Sequence, residues 1–234
     1  MARITRKELK TDKFALEVGH TFTFFEEHQK DLLRYGIGVV VAIVLIIGYV
    51  MYSRSQHAAR EEALAKAIQV QETAVGPITN PSQNPTFPTQ EAKDEVALKT
   101  FGELQSKYSG SDEGAIAEYY LGAIKADQGK LAEAEKNFKN VADKGSSQYA
   151  SLAKFSLAQI YFSDGRGDEG EKVLRDLIAH PTVYVSSDQA TIALARFIGP
   201  KKPAEARKLL DPLRSKPGAV GQTALSVYGE LPAQ

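Results

Sequence analysis

The chain has no cysteine, so its four histidines, His20, His28, His57 and His180, are the residues best suited to hold a metal. No two of them stand at the spacing that puts a ligand pair on one helix face; His20 and His28 are eight apart. Without cysteine there is neither a disulfide nor thiol chemistry, a composition compatible with an oxidising compartment. No phosphate loop, dinucleotide fingerprint or nucleophile elbow occurs. Carboxylates cluster at Asp112-Glu113 and at Glu133 with Glu135. Helical surfaces carry many such solvated acids, and Ser111-Asp112 ahead of an apolar run is a natural N-cap. The expectation is a protein that is not an enzyme, with no catalytic residue, no metal and no cofactor. The formal charge is +0 and no Lys/Arg stripe is interleaved with aromatics, which disfavours a nucleic-acid partner.

What these residues can do depends on the elements that carry them, and "LGAIKADQGKLAEAEKNF", 121–138, gives the pattern. Leu121 and Ile124 sit at helical spacing, as do Leu131, Ala134, Phe138 and Val141. Gly129 falls where the first helix must end. The spacing predicts a helical hairpin. In it Gly122 and Ala134 let the backbones approach, and Leu121 and Phe138 fill the seam.

The hairpin repeats every 36 residues. Leu121-Gly122 becomes Leu157-Ala158 and then Ala193-Leu194. A small residue recurs at Ala134, Gly170 and Ala206, and a large apolar one at Phe138, Leu174 and Leu210. Gly165-Arg166-Gly167 and Gly199-Pro200 fall between the paired helices. Three units in one register predict a stacked helical array. Upstream, Ala97, Phe101 and Leu104 copy the spacing of Ala134, Phe138 and Val141, so 91–108 reads as another second helix. Its partner would be the helix of 55–74, with Leu64, Ala67, Ile68 and Val75 on one side. Residues 219–230 are long enough for a terminal helix covering the last apolar face.

Leu121, Gly122, Gly129, Ala134 and Phe138, followed by Leu157, Ala158, Tyr161 and Gly165, resemble the tetratricopeptide repeat over roughly residues 113–215. The chain departs from that pattern at Glu118, where the family usually has a large apolar residue, at Lys125, where it usually has Tyr, and at Gly170. The resemblance implies that the first helix of each hairpin lines a concave face, and that positions two, five, nine and twelve of each unit point into it. With Ala115, Ser151 and Ser187 as unit starts, those positions include Tyr119, Phe155, Gln159, Phe162 and Thr191. These five are the expected partner-binding residues. Tyr119, Phe155 and Phe162 are large for a face that seam packing does not require, and exposed aromatics on a concavity anchor peptides. The alternative is that the terminal helix or the 55–74 helix covers them.

The strongest single signal lies ahead of the array. "YGIGVVVAIVLIIGYVMYS", 35–53, is 19 residues without a charge. At ~1.5 Å per residue it reaches ~28 Å, close to the ~30 Å hydrocarbon core of a bilayer. Arg34 and Arg54 bracket it, and Tyr35, Tyr49 and Tyr52 suit the interfaces. The run is too long for a signal peptide and no cleavage site follows, so the expectation is an uncleaved anchor in contact with lipid. Seven Lys/Arg precede it and three follow within residues 54–75. That bias puts the N-terminus in the cytoplasm and the array outside it. Gly38 and Ala42 form a small-xxx-small pair, the spacing that lets two helices approach in a homodimer.

Two further segments complete the expected layout of cytoplasmic segment 1–34, transmembrane helix 35–53, membrane-proximal helix 54–75, linker 76–90 and repeat domain 91–234. Phe14, Val18, Phe22 and Phe25 make an amphipathic stripe over 14–28, suited to a membrane surface or a protein partner. "GPITNPSQNPTFPTQ", 76–90, carries prolines that exclude a helix and reads as an extended linker.

The fold class is thus all-α, a single transmembrane helix followed by an α-solenoid of tetratricopeptide-like hairpins. As a whole, with "RYGIGVVVAIVLIIGYVMYSRSQHAAREEALAKA" and the "ALKTFGELQSKYSGSDEGAIAEYYLGAIKADQGKLAEAEKNF" stretch, the chain resembles the YfgM-like family, ancillary subunits of the bacterial SecYEG translocon. That resemblance implies a single-pass bacterial inner-membrane protein whose periplasmic domain binds chaperones, translocon subunits or nascent polypeptides. A periplasmic scaffold for cell-envelope assembly or cell division is the alternative.

Overall fold

A computed structural model of the chain describes residues 29–76 and 86–232. The amphipathic stripe over 14–28 lies outside the described residues. Within them the secondary structure is helical: α1 Gln29–Glu72, α2 Gln90–Lys107, α3 Asp112–Asp127, α4 Leu131–Lys144, α5 Ser147–Ser163, α6 Gly167–Ala179, α7 Ser187–Ile198, α8 Pro203–Arg214 and α9 Ala219–Glu230. The chain divides into two compact units, Met1–Ala58 and Ala59–Gln234.

In the first unit, α1 carries the apolar run. Ile37, Leu45 and Tyr49 are 57%, 68% and 72% exposed, and the large apolar side chains of 35–52 are exposed around the whole helix. The helix is long and apolar enough to cross a membrane. No proline interrupts it, and it continues without a break through the residues that the sequence divides into anchor and membrane-proximal helix.

The second unit begins inside α1, so the helix expected to pair with 91–108 belongs to the same compact body as the repeats. Ala67 of α1, Ala97, Phe101 and Leu104 of α2, and Ala117 and Ile124 of α3 form one buried cluster. α1 ends at Glu72, and the Thr73 hydroxyl donates to the Gln69 carbonyl there. Val75 is therefore not on the helix face expected of it; it is 40% exposed and bridges to Phe87. Gly76 N–H donates to the Phe87 carbonyl at 2.9 Å, Phe87 N–H donates to the Ala74 carbonyl at 2.9 Å, and the Thr86 hydroxyl donates to the Gly76 carbonyl at 2.7 Å. The two ends of the segment expected as an extended linker are thus hydrogen-bonded to each other; 77–85 lie outside the described residues.

The hairpins follow from their turns and caps. Ser111 and Ser186 accept from the N–H groups of Gly114 and Gln189, both at 3.1 Å, and start α3 and α7. Gly129 and Gly165 adopt φ of +75° and +78°, the left-handed conformation that stops a helix. Lys130 N–H then donates to the Lys125 carbonyl and Arg166 N–H to the Tyr161 carbonyl, each at 2.8 Å, closing the same C-terminal motif in both hairpins. The third turn is built differently. Gly199 has φ −49°, and it is small because a Cβ there would lie 2.3 Å from the Leu231 side chain, just beyond α9. α9 covers the end of the array with Ala224 and Val227 buried.

Ion pairs obey the same period. Glu135 of α4 accepts from both terminal nitrogens of Arg166 at 3.0 and 2.6 Å. Thirty-six residues on, Glu171 of α6 accepts from Lys202 at 2.8 Å. Each acid also holds a cation four residues along its own helix, Lys139 and Arg175. Hydrogen bonding to Arg166 lowers the Glu135 carboxyl to a pKa of about 2. In the third unit Arg207 stands where the acid would be, and it donates to the Pro232 carbonyl at 2.6 Å. The repeat of clamps stops where the array stops.

Candidate functional site

The first helices of the hairpins, α3 and α5, and the second helix α4 between them enclose a cavity of ≈ 360 Å³. Ala123, Ala126 and Asp127 come from α3, Phe138 and Leu131 from α4, and Ser156, Gln159, Ile160 and Ser163 from α5. The floor is apolar, with Phe138 and Ile160 buried, and Asp127 and Gln159 stand exposed at the rim. The volume is at the low end of the ~300–1,000 Å³ of ligand sites, room for one large side chain rather than a cofactor.

A row of tyrosines flanks this hollow. Tyr119 and Tyr120 of α3 meet edge-on at 5.8 Å, Tyr149 of α5 meets Tyr119 at 5.6 Å, and Tyr184 meets Tyr149 at 5.6 Å. Tyr120 also stacks on Phe101 of α2 at 4.8 Å. Burial pushes the Tyr119, Tyr120 and Tyr149 hydroxyls up, Tyr149 to about 12, so all three stay protonated at neutral pH. Tyr119 is hydrogen-bonded to Ser156 and Tyr120 to Tyr149. They are neutral hydrogen-bonding groups in an apolar row, an arrangement suited to contact and not to proton transfer.

Tyr184 sits on a loop, 180–186, held from both sides. Val185 is fully buried, the Ser151 and Thr182 hydroxyls share a hydrogen bond at 2.7 Å, and Thr182 N–H donates to the Val185 carbonyl at 2.9 Å. Val183 is left 88% exposed on a fixed turn.

The five expected residues do not share one environment. Gln159 is exposed at the hollow, and its amide has no hydrogen-bond partner among the described residues. Tyr119 is half-buried in the tyrosine row and packs on Phe138. Phe155 and Phe162 are both partly buried against the core of the later repeats. Phe162 stacks on Phe197 at 4.3 Å and lies against Gly170 in its own hairpin, so it takes part in the seam packing from which the sequence pattern exempted it. Thr191 donates its hydroxyl to the Ser187 carbonyl at 2.7 Å. Among the described residues neither α1 nor α9 lines the hollow.

The departures from the repeat pattern have local causes. Glu118 accepts from the Asn140 amide at 2.7 Å, and Lys125 pairs with Glu133 at 3.2 Å. Gly170 makes room, since a Cβ there would lie 2.7 Å from the Phe162 ring. Leu121 does not fill the seam with Phe138; it turns away to the α1–α2 cluster. Ring and glycine meet there directly, because a Cβ on Gly122 would lie 2.9 Å from Phe138.

The family model of the tetratricopeptide repeat-like domain matches residues 23–189. The chain belongs to that family. The match takes in the apolar part of α1 and runs into α7. Domains of this family are typically non-catalytic interaction modules, in keeping with a hollow sized for a side chain and tyrosines held neutral. No curated protein and no solved structure matches the chain.

Proposed function

We propose that the protein is a non-enzymatic interaction module, anchored in the bacterial inner membrane through 35–53, with its N-terminus cytoplasmic and its repeats periplasmic. There it binds chaperones, translocon subunits or emerging polypeptides near the Sec translocon. The observation that carries the binding reading is the hollow between α3 and α5, with an exposed Gln159 amide that has no hydrogen-bond partner among the described residues, beside a row of neutral tyrosines. An amide offers a donor and an acceptor together, the pair an extended main chain needs. The seven-to-three Lys/Arg bias around the apolar run supports the orientation.

The experiment is a photoreactive residue at Gln159 in intact membranes, with crosslinked partners identified by mass spectrometry. Translocon subunits, a periplasmic chaperone or nascent chains are the expected products. Crosslinks confined to peptidoglycan-building or outer-membrane assembly proteins would move the protein to envelope assembly. Protease added to spheroplasts should digest residues beyond 54; a protected array would reverse the topology.

A further inference from the structure

The lining of the hollow carries charge of one sign, although Lys130 stands exposed in the turn three residues after Asp127. Asp127 is the only ionisable group lining it, and its carboxylate has no ion pair or hydrogen bond among the described residues. The cations on the two flanking helices are already engaged. Lys125 of α3 pairs with Glu133 at 3.2 Å, and Lys154 of α5 donates to Asp176 at 2.8 Å, so each is held by the second helix of its own hairpin. Asp127 acts on Tyr119, and Glu72 of α1 acts on Tyr120. The hollow therefore offers an apolar floor of Phe138 and Ile160, an exposed amide at Gln159 and, at the rim, one carboxylate with no ion pair among the described residues.

We infer that this hollow selects an extended polypeptide segment in which a large apolar residue lies next to Lys or Arg. The apolar side chain fills the cavity, the Gln159 amide bonds the segment's main chain, and the cation meets Asp127. Charge complementarity decides the partner's chemistry: a segment with acids flanking its apolar residue would set like charges together at the rim. The carboxylate is specific to this place in the array, because Ser163 occupies the equivalent position one repeat later. The inference rests on the binding reading above and adds the sequence preference of the bound segment.

The test uses the full-length protein in phosphatidylcholine nanodiscs, whose neutral headgroups do not attract either probe. Two fluorescein-labelled nonapeptides share a Leu-Phe centre, one flanked by Lys and one by Glu, and binding is read by anisotropy. The Lys peptide should bind about three- to five-fold more tightly, the effect of one exposed ion pair, and added salt should shrink the difference. Asp127→Asn should bring the two affinities together, and Asp127→Lys should reverse their order. Ala126→Phe with Ala134→Gly fills the hollow with a ring-and-glycine pair already present in the next hairpin, and should abolish binding of both peptides while circular dichroism stays unchanged. Equal affinities that are both lost on filling would overturn the charge preference and leave the binding reading standing. Binding that survives filling in a folded variant would overturn both, as would no binding of either peptide up to its solubility.

Discussion

The hairpins α3–α4 and α5–α6 solve one packing problem in opposite ways. In the first, the ring belongs to the second helix: Phe138 lies against Gly122, and Ala126 packs against the cluster that holds Ala134. In the second, the ring belongs to the first helix: Phe162 lies against Gly170, while Ala158 and Leu174 take the places of Gly122 and Phe138. Each ring has its glycine, because a close-packed seam admits one large group per layer. The consequence is a difference in what is left open. With Ala126 small, the first interface keeps a hollow of ≈ 360 Å³ floored by Phe138 and Ile160; at the second, Phe162 stacks on Phe197, and the two rings line a smaller hollow of ≈ 270 Å³ edged by Asp168, Glu171, Lys201 and Lys202. A repeat that looks uniform in register thus lines its interfaces differently: the first hollow holds one ionisable side chain, Asp127, and the second holds both acids and lysines.

The largest effect should come from deleting the first ring. Phe138 is 1% exposed, and Phe138→Ala should cost about 3–5 kcal/mol, the range for a buried aromatic. A thermal melt of the full chain in detergent, followed by circular dichroism, measures it. Next come the glycines. Gly122→Leu drives a side chain into that ring and should cost about 1–3 kcal/mol by overpacking. Gly170→Ala is the sharper case. Alanine should help a helix by about 1 kcal/mol over glycine, yet the variant should melt lower because its Cβ meets Phe162 at 2.7 Å. Adding Phe162→Ala should recover part of the loss; a higher melting temperature for Gly170→Ala alone would show that the ring moves aside.

The smallest effects concern the clamps. Glu135→Gln should cost about 1–2 kcal/mol at neutral pH, a charged hydrogen bond's worth, and more than Glu171→Gln, whose cross-repeat partner is a lysine and not a two-pronged arginine. The Glu135 carboxyl falls from 4.5 to about 2 in the folded chain. Its contribution is therefore complete above pH 4.5 and lost as pH drops toward 2. Over that window the melting temperature of the parent chain should fall more than that of Glu135→Gln.

Much of this fold could be read in the sequence because its signals are local. The small-and-large alternation at 134, 170 and 206 against 138, 174 and 210, with Gly129 and Gly165 at the turns, set the hairpins and their register. Residues 219–230 closed the array as a helix with the expected bounds. Pairing across the seam was less legible. Gly170 looked like a flaw in a helix until Phe162, eight residues away, supplied its reason. Helical spacing points Leu121 at the wrong neighbour, because periodicity gives a face but not which of two adjacent helices meets it. The closed ends at Gly76 and Phe87 depend on backbone hydrogen bonds, which composition does not encode.

The site was legible in part. Gln159 and Tyr119 follow from the repeat frame, but Asp127 and Ser156 lie at frame positions not expected to face inward. Tyr149 precedes the first position of its unit, and Tyr184 lies in a loop between units. The doublet Tyr119-Tyr120 was the one available signal for the row.

The most direct test fills the hollow and asks whether the partners leave. In the Ala126→Phe, Ala134→Gly chain with a photoreactive residue at Gln159, the melting temperature should stay close to that of the parent and the crosslinked bands in intact membranes should disappear. The same bands at undiminished strength in a folded variant would show that the α3–α5 hollow is not where this protein holds another.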